Sequence, residues 1–360
     1  MQIRILHVVT YMGRGGLETM LMNYYRSIDR SLVQFDFLTH RDFRADYDDE
    51  IEALGGRIYR LPSLNPFSRS YLGALDRFFR EHPEYRIVHS HLDCMAGIPL
   101  KYAKKHGVSV RIGHAHNSNQ PRDAKYPLKL FYRRMIAGQA THLFACSEEA
   151  GRWMFGNADF RVLNNAIDAG RYAFDPAIRS EVRRELGLPA DALVVGHVGR
   201  FDPQKNHRFL VEIFEKMPVD ARLLLVGDGV LRPDVEQQAA ALGIRDRILF
   251  TGVRTDVDRL LQAMDLFLMP SLFEGLPVSI VEAQAAGLPC LISDRVPIEC
   301  KKTALVTQIR LDASPAEWAE AVLSAAKMLR ENTLSQIREA GFDIRANAEW
   351  LQNYYRSFEV

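Results

Sequence analysis

The residues best placed to do chemistry lie in FEGLPVSIVEAQAAGLP, where Glu274 and Glu282 stand eight positions apart across a Gly-Leu-Pro. Two carboxylates can share acid/base work, accept hydrogen bonds from a ligand's hydroxyls, or be solvated charge. LFLMPS reads as a strand, FEGLP as a loop and VSIVEAQAAG as a helix, with Pro277 in the first helical turn, where its missing N–H costs nothing. Glu274 then precedes the helix and Glu282 lies about one turn inside it, an arrangement that rules out a close carboxylate dyad. The helix N-terminus between them offers unpaired N–H groups and roughly half a positive charge to an anion such as pyrophosphate. Gly275 lets that backbone approach closely. On this reading each glutamate takes hydroxyls on opposite sides of a diphosphate, a sugar on one and a ribose on the other. A helix-terminal acid at Glu274 and surface charge at Glu282 fit the spacing equally well.

Other candidates sit in comparable loops. GHVGRFDPQKNH sets Arg200 and Lys205 around an Asp202–Pro203 turn. A guanidinium fork and an ammonium point charge together suit a diphosphate, although either alone is ordinary surface charge. TYMGRGGLETML carries Gly13, Gly15 and Gly16 into a helix, but Glu18 takes the last glycine position of a dinucleotide fingerprint. Asp36 falls inside the strand-like VQFDFLT, which also weakens a nicotinamide-cofactor reading. HSHLDC puts His89 and His91 on one strand face with Asp93, close to a metallohydrolase pattern, with Cys94 in place of its final histidine. Nothing else in the sequence supplies a clear second metal cluster, and no metal is expected. In GHAHNS, His116 falls in the loop after His114; it can hydrogen-bond a reacting sugar or be a satisfied, partly buried histidine. Asp256 and Asp258 in TDVDRLLQAM read most simply as acids in the first turn of a helix capped by Thr255.

The elements that must position these groups alternate strand with helix. IRILHVVT, VQFDFLT, YRIVHSH, VSVRIGH and HLFAC are strand-like, and after Asn164 the rhythm restarts with LVVGHVGR, ARLLLVGDG, RILFTG, LFLMPS, LPCLIS and ALVTQI. Such alternation predicts parallel sheets with crossover helices. The expected fold is α/β, with two Rossmann-like doubly wound domains facing a cleft: residues 1–165 and residues 166–343. NNAIDAGRYAFDPAIRSEVRRELGLPAD, without a strand pattern, reads as the connector. Residues 344–360 carry Trp350, Leu351, Tyr354, Tyr355 and Phe358 at helical spacing and are expected to dock back on the first domain. Ligands of such sheets lie beyond the carboxyl ends of strands, which is where the candidates above fall.

Length supports two domains, because 360 residues exceed the usual single core. A net charge of +1 excludes the large basic excess of a nucleic-acid binder. The basic residues concentrate locally: Lys101, Lys104, Lys105, Arg111, Arg122, Lys125, Lys129, Arg133 and Arg134 are opposed by Asp123 alone between 95 and 134. That face suits an anionic acceptor or an acidic membrane surface. KYPLKLFYRRMIAG adds Tyr126, Leu128, Phe131, Tyr132 and Met135 to it; the alternative is a helix packed on its sheet with a solvated basic side. Cys94, Cys146, Cys290 and Cys300 show no CxxC spacing, no signal peptide precedes them, and no apolar run is long enough to span a bilayer. A cytoplasmic protein with free thiols, possible at the inner face of the cell membrane, is the expectation.

Taken together, the Gly15–Gly16 loop, GHAHN, VGR followed by Lys205, VGDG, LFTGVR and FEGLPVSIVEAQAAGLP resemble the retaining GT-B glycosyltransferases that carry the E-x7-E motif, a family 4-like group. The opening, ILHVVTYMGRGGLETMLMNYYRSIDR, is most similar to exopolysaccharide and capsule enzymes of bacteria. The resemblance runs over most of the chain. It implies that Arg200 and Lys205 clamp a donor diphosphate, that Glu282 holds the ribose, and that Glu274 with the amides of Gly275, Leu276, Pro277 and Val278 (Pro277 lacking an N–H) holds the transferred sugar and phosphate. It places His116 against the sugar near the reacting carbon, Gly16 with Gly15 over the phosphate, and the base near Gly227, Asp228, Gly252 and Val253. NNAID departs from the family, with Asn164 and Ala166 in place of proline and glycine, and DRVPIECKKTAL lacks its glycine-rich form.

The expected activity is a hexosyltransferase-type reaction, moving a sugar from a nucleotide-diphosphate sugar to the hydroxyl of a lipid-linked or saccharide acceptor. No cofactor is required, a UDP-sugar is the expected donor, and retention of configuration is implied by the resemblance. A sugar-nucleotide epimerase of the same fold, or a nonenzymatic sugar-nucleotide-binding protein, is the alternative.

Overall fold

The computed structural model describes residues 2–119 and 124–358, so Arg122 and Asp123 of the basic stretch lie outside the described residues. The chain forms two compact units, Met1–Ala166 with Ile344–Val360, and Ile167–Asp343.

In the first unit the strands β1 (Ile3–Val8), β2 (Val33–Thr39), β3 (Ile58–Arg60), β4 (Ile87–Ser90), β5 (Val110–Ala115), β6 (His142–Ala145) and β7 (Arg161–Val162) form one sheet ordered β3-β2-β1-β4-β5-β6-β7. Every pairing is parallel. Parallel strands are covered on both faces, which explains why β2 is buried throughout and reads as an apolar run. The chain reverses direction across the sheet between β1 and β4, the position where ligand loops gather. The C-terminal helix Ile344–Arg356 packs in this unit on the helix Gly16–Ser27 and on β2. Its Leu351 and Tyr355 are buried, whereas Trp350 is 40% exposed.

The second unit holds β8 (Val194–Val198), β9 (Arg222–Val226), β10 (Ile248–Phe250), β11 (Leu266–Met269), β12 (Cys290–Ser293) and β13 (Val306–Ile309), ordered β10-β9-β8-β11-β12-β13 and parallel. Its switch point is between β8 and β11. Val195, Leu223, Leu225, Leu266, Leu268 and Leu291 pack there with Phe214 and Trp318. No described helix is long and apolar enough to cross a membrane, and all four cysteines are buried and outside any disulfide.

Three local expectations are corrected. The presumed connector is two helices, Ala169–Tyr172 and Pro176–Glu185, and belongs to the second unit. Asp175 caps the longer one by accepting from Ala177 N at 2.7 Å. From it Arg179 and Arg183 each donate to Asp265 at 2.6 Å, and Arg183 Nε also donates to the Ala263 carbonyl at 2.9 Å. Two arginines spent on one carboxylate and on the carbonyls that end the helix Val257–Ala263 show no apolar period, which hides a packed helix from sequence reading. Pro277 is the residue before the helix Val278–Ala285, with extended backbone, and not part of its first turn. Thr255 is not the cap of Val257–Ala263; Asp256 occupies that position, with its carboxylate turned to Arg254 at 2.8 and 2.6 Å. Asp258 is paired with Arg171 at 2.9 Å. Both acids of the DxD are structural.

Candidate active site

In the second unit the loops after β8 and β11 are laced together. Asp202 accepts from Lys205 N at 3.2 Å and so holds the turn Pro203–Lys205. Leu272 N donates to the Gln204 carbonyl at 2.8 Å, and Asn206 Nδ2 donates to the Pro270 carbonyl at 3.1 Å. These bonds carry the Lys205 ammonium to Glu274 Oε1 at 2.6 Å, with Gln204 Nε2 donating to Oε2 at 3.0 Å. Glu274 is 4% exposed, so a lone ionised carboxylate would be costly there and the ammonium compensates it. Sequence reading gave Lys205 and Glu274 separate tasks; in the structure they are partners.

Glu274 leads through Gly275, Leu276 and Pro277 into Val278–Ala285, a helix that no side chain caps. Its terminus therefore keeps a field that favours an anion. Glu282 sits inside this helix at 6% exposure, which removes the surface-charge reading. Burial pushes its carboxyl up to about 7, and Tyr172 Oη opposes the shift by donating to Oε1 at 2.7 Å. Tyr172 was missed by sequence reading because it stands in the presumed connector, where nothing marks it as a partner of a glutamate 110 positions away.

The remaining second-unit candidates follow the ends of β8, β9 and β10. Gly227 has φ 132°, and a Cβ there would lie 2.1 Å from the Gly199 carbonyl, so only glycine fits. Gly227 N donates to the Gly252 carbonyl at 2.9 Å, joining the ends of β9 and β10. Phe201 N donates to the Asp228 carbonyl at 3.0 Å, and the Asp228 carboxylate takes Gly229 N at 2.7 Å and Arg232 at 3.2 Å. Val253 is 50% exposed next to this turn. Arg200 is exposed in the loop leaving β8.

In the first unit Gly15 precedes the helix Gly16–Ser27 with no side-chain cap, and a Cβ on Gly16 would meet nothing within 4 Å. The protein's own packing leaves the backbone at Gly16 open to approach. Asp36 is consumed structurally: it accepts from Arg4 at 2.6 and 2.5 Å, from Tyr85 Oη at 2.7 Å and from Arg57 N at 2.7 Å.

The histidines of HSHLDC and GHAHNS form one cluster with His7 of β1. His116 Nε2 lies 2.9 Å from His91 Nδ1, His91 Nε2 lies 3.0 Å from His7 Nδ1, and His89 Nε2 lies 3.1 Å from His114 Nδ1. Burial drives His7 and His116 down to about 3 and holds His89, His91 and His114 well below the ordinary histidine range. His7, His89 and His91, or His91, His114 and His116, bring ring nitrogens within 4.8 Å of one another and could hold a metal ion. Asp93 does not join them. It accepts from His116 N at 3.2 Å and Asn117 Nδ2 at 2.8 Å, from a left-handed backbone with φ 44°, and so fixes the loop after β5. His7 lies far from both motifs in sequence and carried no signal.

Known proteins match both units. The glycosyl transferase 4-like domain family matches residues 15–165, and the glycosyl transferases group 1 family matches residues 192–327. The chain is 38% identical, over 98% of its length and 96% of the other's, to EpsF of Bacillus subtilis (strain 168), which bears a provisional glycosyltransferase name. It is 30% identical, over 59% of its length and 58% of the other's, to the Escherichia coli UDP-Gal:alpha-D-GlcNAc-diphosphoundecaprenol alpha-1,3-galactosyltransferase. Its fold matches that of Anabaena HepE in complex with UDP and glucose, with a TM-score of 0.83, 19% identity, and 99% and 100% of the two chains covered. The chain therefore belongs to the group 1, 4-like family of glycosyltransferases and has their GT-B fold of two Rossmann-like units.

Proposed function

We propose that the enzyme transfers a sugar from a nucleotide-diphosphate sugar, a UDP-sugar, to a hydroxyl of a lipid-linked or saccharide acceptor, in the assembly of an exopolysaccharide or capsule. The observation that carries this reading is the Lys205–Glu274 pair held at the uncapped N-terminus of Val278–Ala285, at the sheet's switch point. UDP in the Anabaena HepE complexes and the lipid diphosphate named for the E. coli relative support it. A donor diphosphate competes with Glu274 for the Lys205 ammonium, joined by Arg200 and the amides of Gly275, Leu276 and Val278. Glu274, relieved of its ion pair, accepts hydroxyls of the transferred sugar. Glu282 accepts ribose hydroxyls in exchange for Tyr172, and Gly227, Asp228, Gly252 and Val253 border the base.

On the first unit we assign His116 to the transferred sugar and the Gly15–Gly16 backbone to the phosphate. As the glycosidic bond breaks, negative charge grows on the leaving diphosphate, and fixed positive charge stabilises it without reorganisation. The leaving oxygen takes the acceptor's proton on the face it has just vacated, which gives retention of configuration without a covalent nucleophile. The comparisons give no support to an epimerase or a nonenzymatic sugar-nucleotide-binding protein.

Mass-spectrometric assay of UDP-glucose and UDP-galactose turnover, with and without a lipid diphosphate-sugar acceptor, tests the reaction. Acceptor-dependent release of UDP is expected; conversion of the sugar nucleotide without acceptor would establish the epimerase instead.

The acceptor side is the helix Tyr126–Gln139, where Phe131 is 60% exposed and Lys125 and Arg134 are also exposed. Arg133 does not belong to that face, because it donates to the Trp153 carbonyl at 2.8 Å and lies over its ring. We propose that this face meets an anionic bilayer from the cytoplasmic side. Replacing Lys125, Lys129 and Arg134 should weaken sedimentation with phosphatidylglycerol vesicles, and unchanged sedimentation would remove the proposal.

A further inference from the structure

Behind His116 stand four imidazoles that the proposed reaction does not use. One file runs from His116 Nε2 to His91 Nδ1 at 2.9 Å and from His91 Nε2 to His7 Nδ1 at 3.0 Å. It ends at His7 Nε2, buried without a hydrogen-bond partner. A second file runs from Tyr355 Oη to His89 Nδ1 at 2.7 Å and from His89 Nε2 to His114 Nδ1 at 3.1 Å, ending at the equally isolated His114 Nε2. The two files stack, with ring centroids 4.0 Å apart for His114 and His116 and 4.3 Å apart for His89 and His91.

Burial keeps these rings neutral, and a neutral imidazole carries one N–H and one lone pair. In an end-to-end file every N–H must then point the same way, so the tautomer of one ring dictates that of the next. Two directions exist for the file behind His116. In one, His116 Nε2–H donates inward, and His7 is left with a buried Nε2–H beside Phe35 and no acceptor. In the other, His7 Nδ1–H donates to His91, His91 Nδ1–H donates to His116 Nε2, and only a lone pair is left over at His7. Orphaned buried N–H groups are the rarer outcome in folded proteins.

We propose that His7 and His91 are positioning residues that hold His116 as its Nδ1–H tautomer with the Nε2 lone pair occupied. His116 then meets a ligand oxygen as a hydrogen-bond donor through Nδ1 and is not available as a base. The tautomer follows from contacts within the first unit itself; only its consequence for catalysis rests on the reading of His116 as a sugar contact. A metal ion bridging the same nitrogens would meet neutral ligands alone, because Asp93 is spent on His116 N and Asn117. That leaves a buried double charge uncompensated.

The test is two-bond 1H–15N correlation of the full chain with 15N-labelled histidine rings, ligand-free, assigned with His116→Gln. Wild type should show His116 protonated at Nδ1 and bare at Nε2. His91→Asn, whose amide nitrogen replaces the Nδ1 donor, should keep that tautomer, and His91→Leu should mix the two. A dominant Nε2–H form in wild type, an unmixed spectrum in His91→Leu, or binding of one equivalent of zinc to the histidine cluster would each overturn the proposal; if His91→Leu fails to fold, the wild-type spectrum alone still decides. With UDP-glucose, His91→Leu should keep UDP affinity within about twofold and lose about tenfold in kcat, with rescue by His91→Asn. Absence of UDP-glucose turnover by wild type would count against the proposed reaction and leave the tautomer result standing.

Discussion

Lys205 and Glu274 show how a binding group is kept in readiness. Each satisfies the other at 2.6 Å, and a diphosphate that takes the ammonium must supply at least as much to it as the carboxylate does. Lys205→Met strips the carboxylate of its partner and should cost about 3 kcal/mol by urea unfolding. Lys205→Met combined with Glu274→Gln should recover much of that stability while donor turnover stays lost. Recovery of both would mean that the pair is structural only.

Glu282 makes a separate statement about pH. Its carboxyl titrates at about 7 in the folded protein against 4.5 ordinarily, because burial disfavours the anion. The unfolded chain releases this proton first as pH rises, so the contribution to stability is present below about 4.5 and lost as pH rises through about 7, up to about 3 kcal/mol. Urea unfolding of Glu282→Gln should show less decline over that interval. Equal slopes for variant and wild type would contradict the assignment.

At the scale of elements, the histidine cluster on β1, β4 and β5 and the loops that follow predicts acid lability of the first unit. Folded pKa values near 3 for His7 and His116 lie below the ordinary 6.5, so their stabilising effect holds above 6.5 and falls away as pH drops toward 3. Each histidine kept neutral contributes up to about 1.4 kcal/mol per pH unit to that slope. Hydrogen exchange from pH 7 to 5 should loosen β1, β4 and β5 in wild type, and in His7→Phe by less, the difference being the share of the one histidine removed. Loosening of equal size in both proteins would show that the cluster does not drive it.

The same elements explain what was legible. β1, β2, β4, β5 and β6 in the first unit and all six strands of the second announce themselves, because parallel strands packed within a sheet favour short runs of apolar and β-branched residues. β3 and β7 do not, being three and two residues long and open to solvent on at least one face. The helix Pro176–Glu185 was hidden because its packing is carried by Arg179 and Arg183. At the site, residue types and loop positions pointed to Arg200, Lys205, Glu274 and Glu282, but pairings that bridge distant segments were invisible. Tyr172 with Glu282 and His7 with His91 exist only once the sheets are assembled.

In the molecule as a whole, we assign recognition of the nucleotide and the charged grip on the donor diphosphate to the second unit. Ile167–Asp343 contains the Lys205–Glu274 pair, the uncapped helix, Glu282 with Tyr172 and the Gly227–Gly252 turn, each held by bonds within that unit. To the first unit, with its Gly15–Gly16 backbone, basic helix and histidine cluster, we assign the remaining contacts to the phosphate, the reacting sugar and the acceptor. The most direct test is calorimetric titration of the full chain with UDP, GDP and ADP, repeated on an Arg200→Ala, Lys205→Ala double variant whose fold is verified by circular dichroism. The account predicts selective binding of UDP by wild type and its loss in the variant. A folded wild type that binds none of the three, or a variant that binds UDP as tightly as wild type, would contradict it.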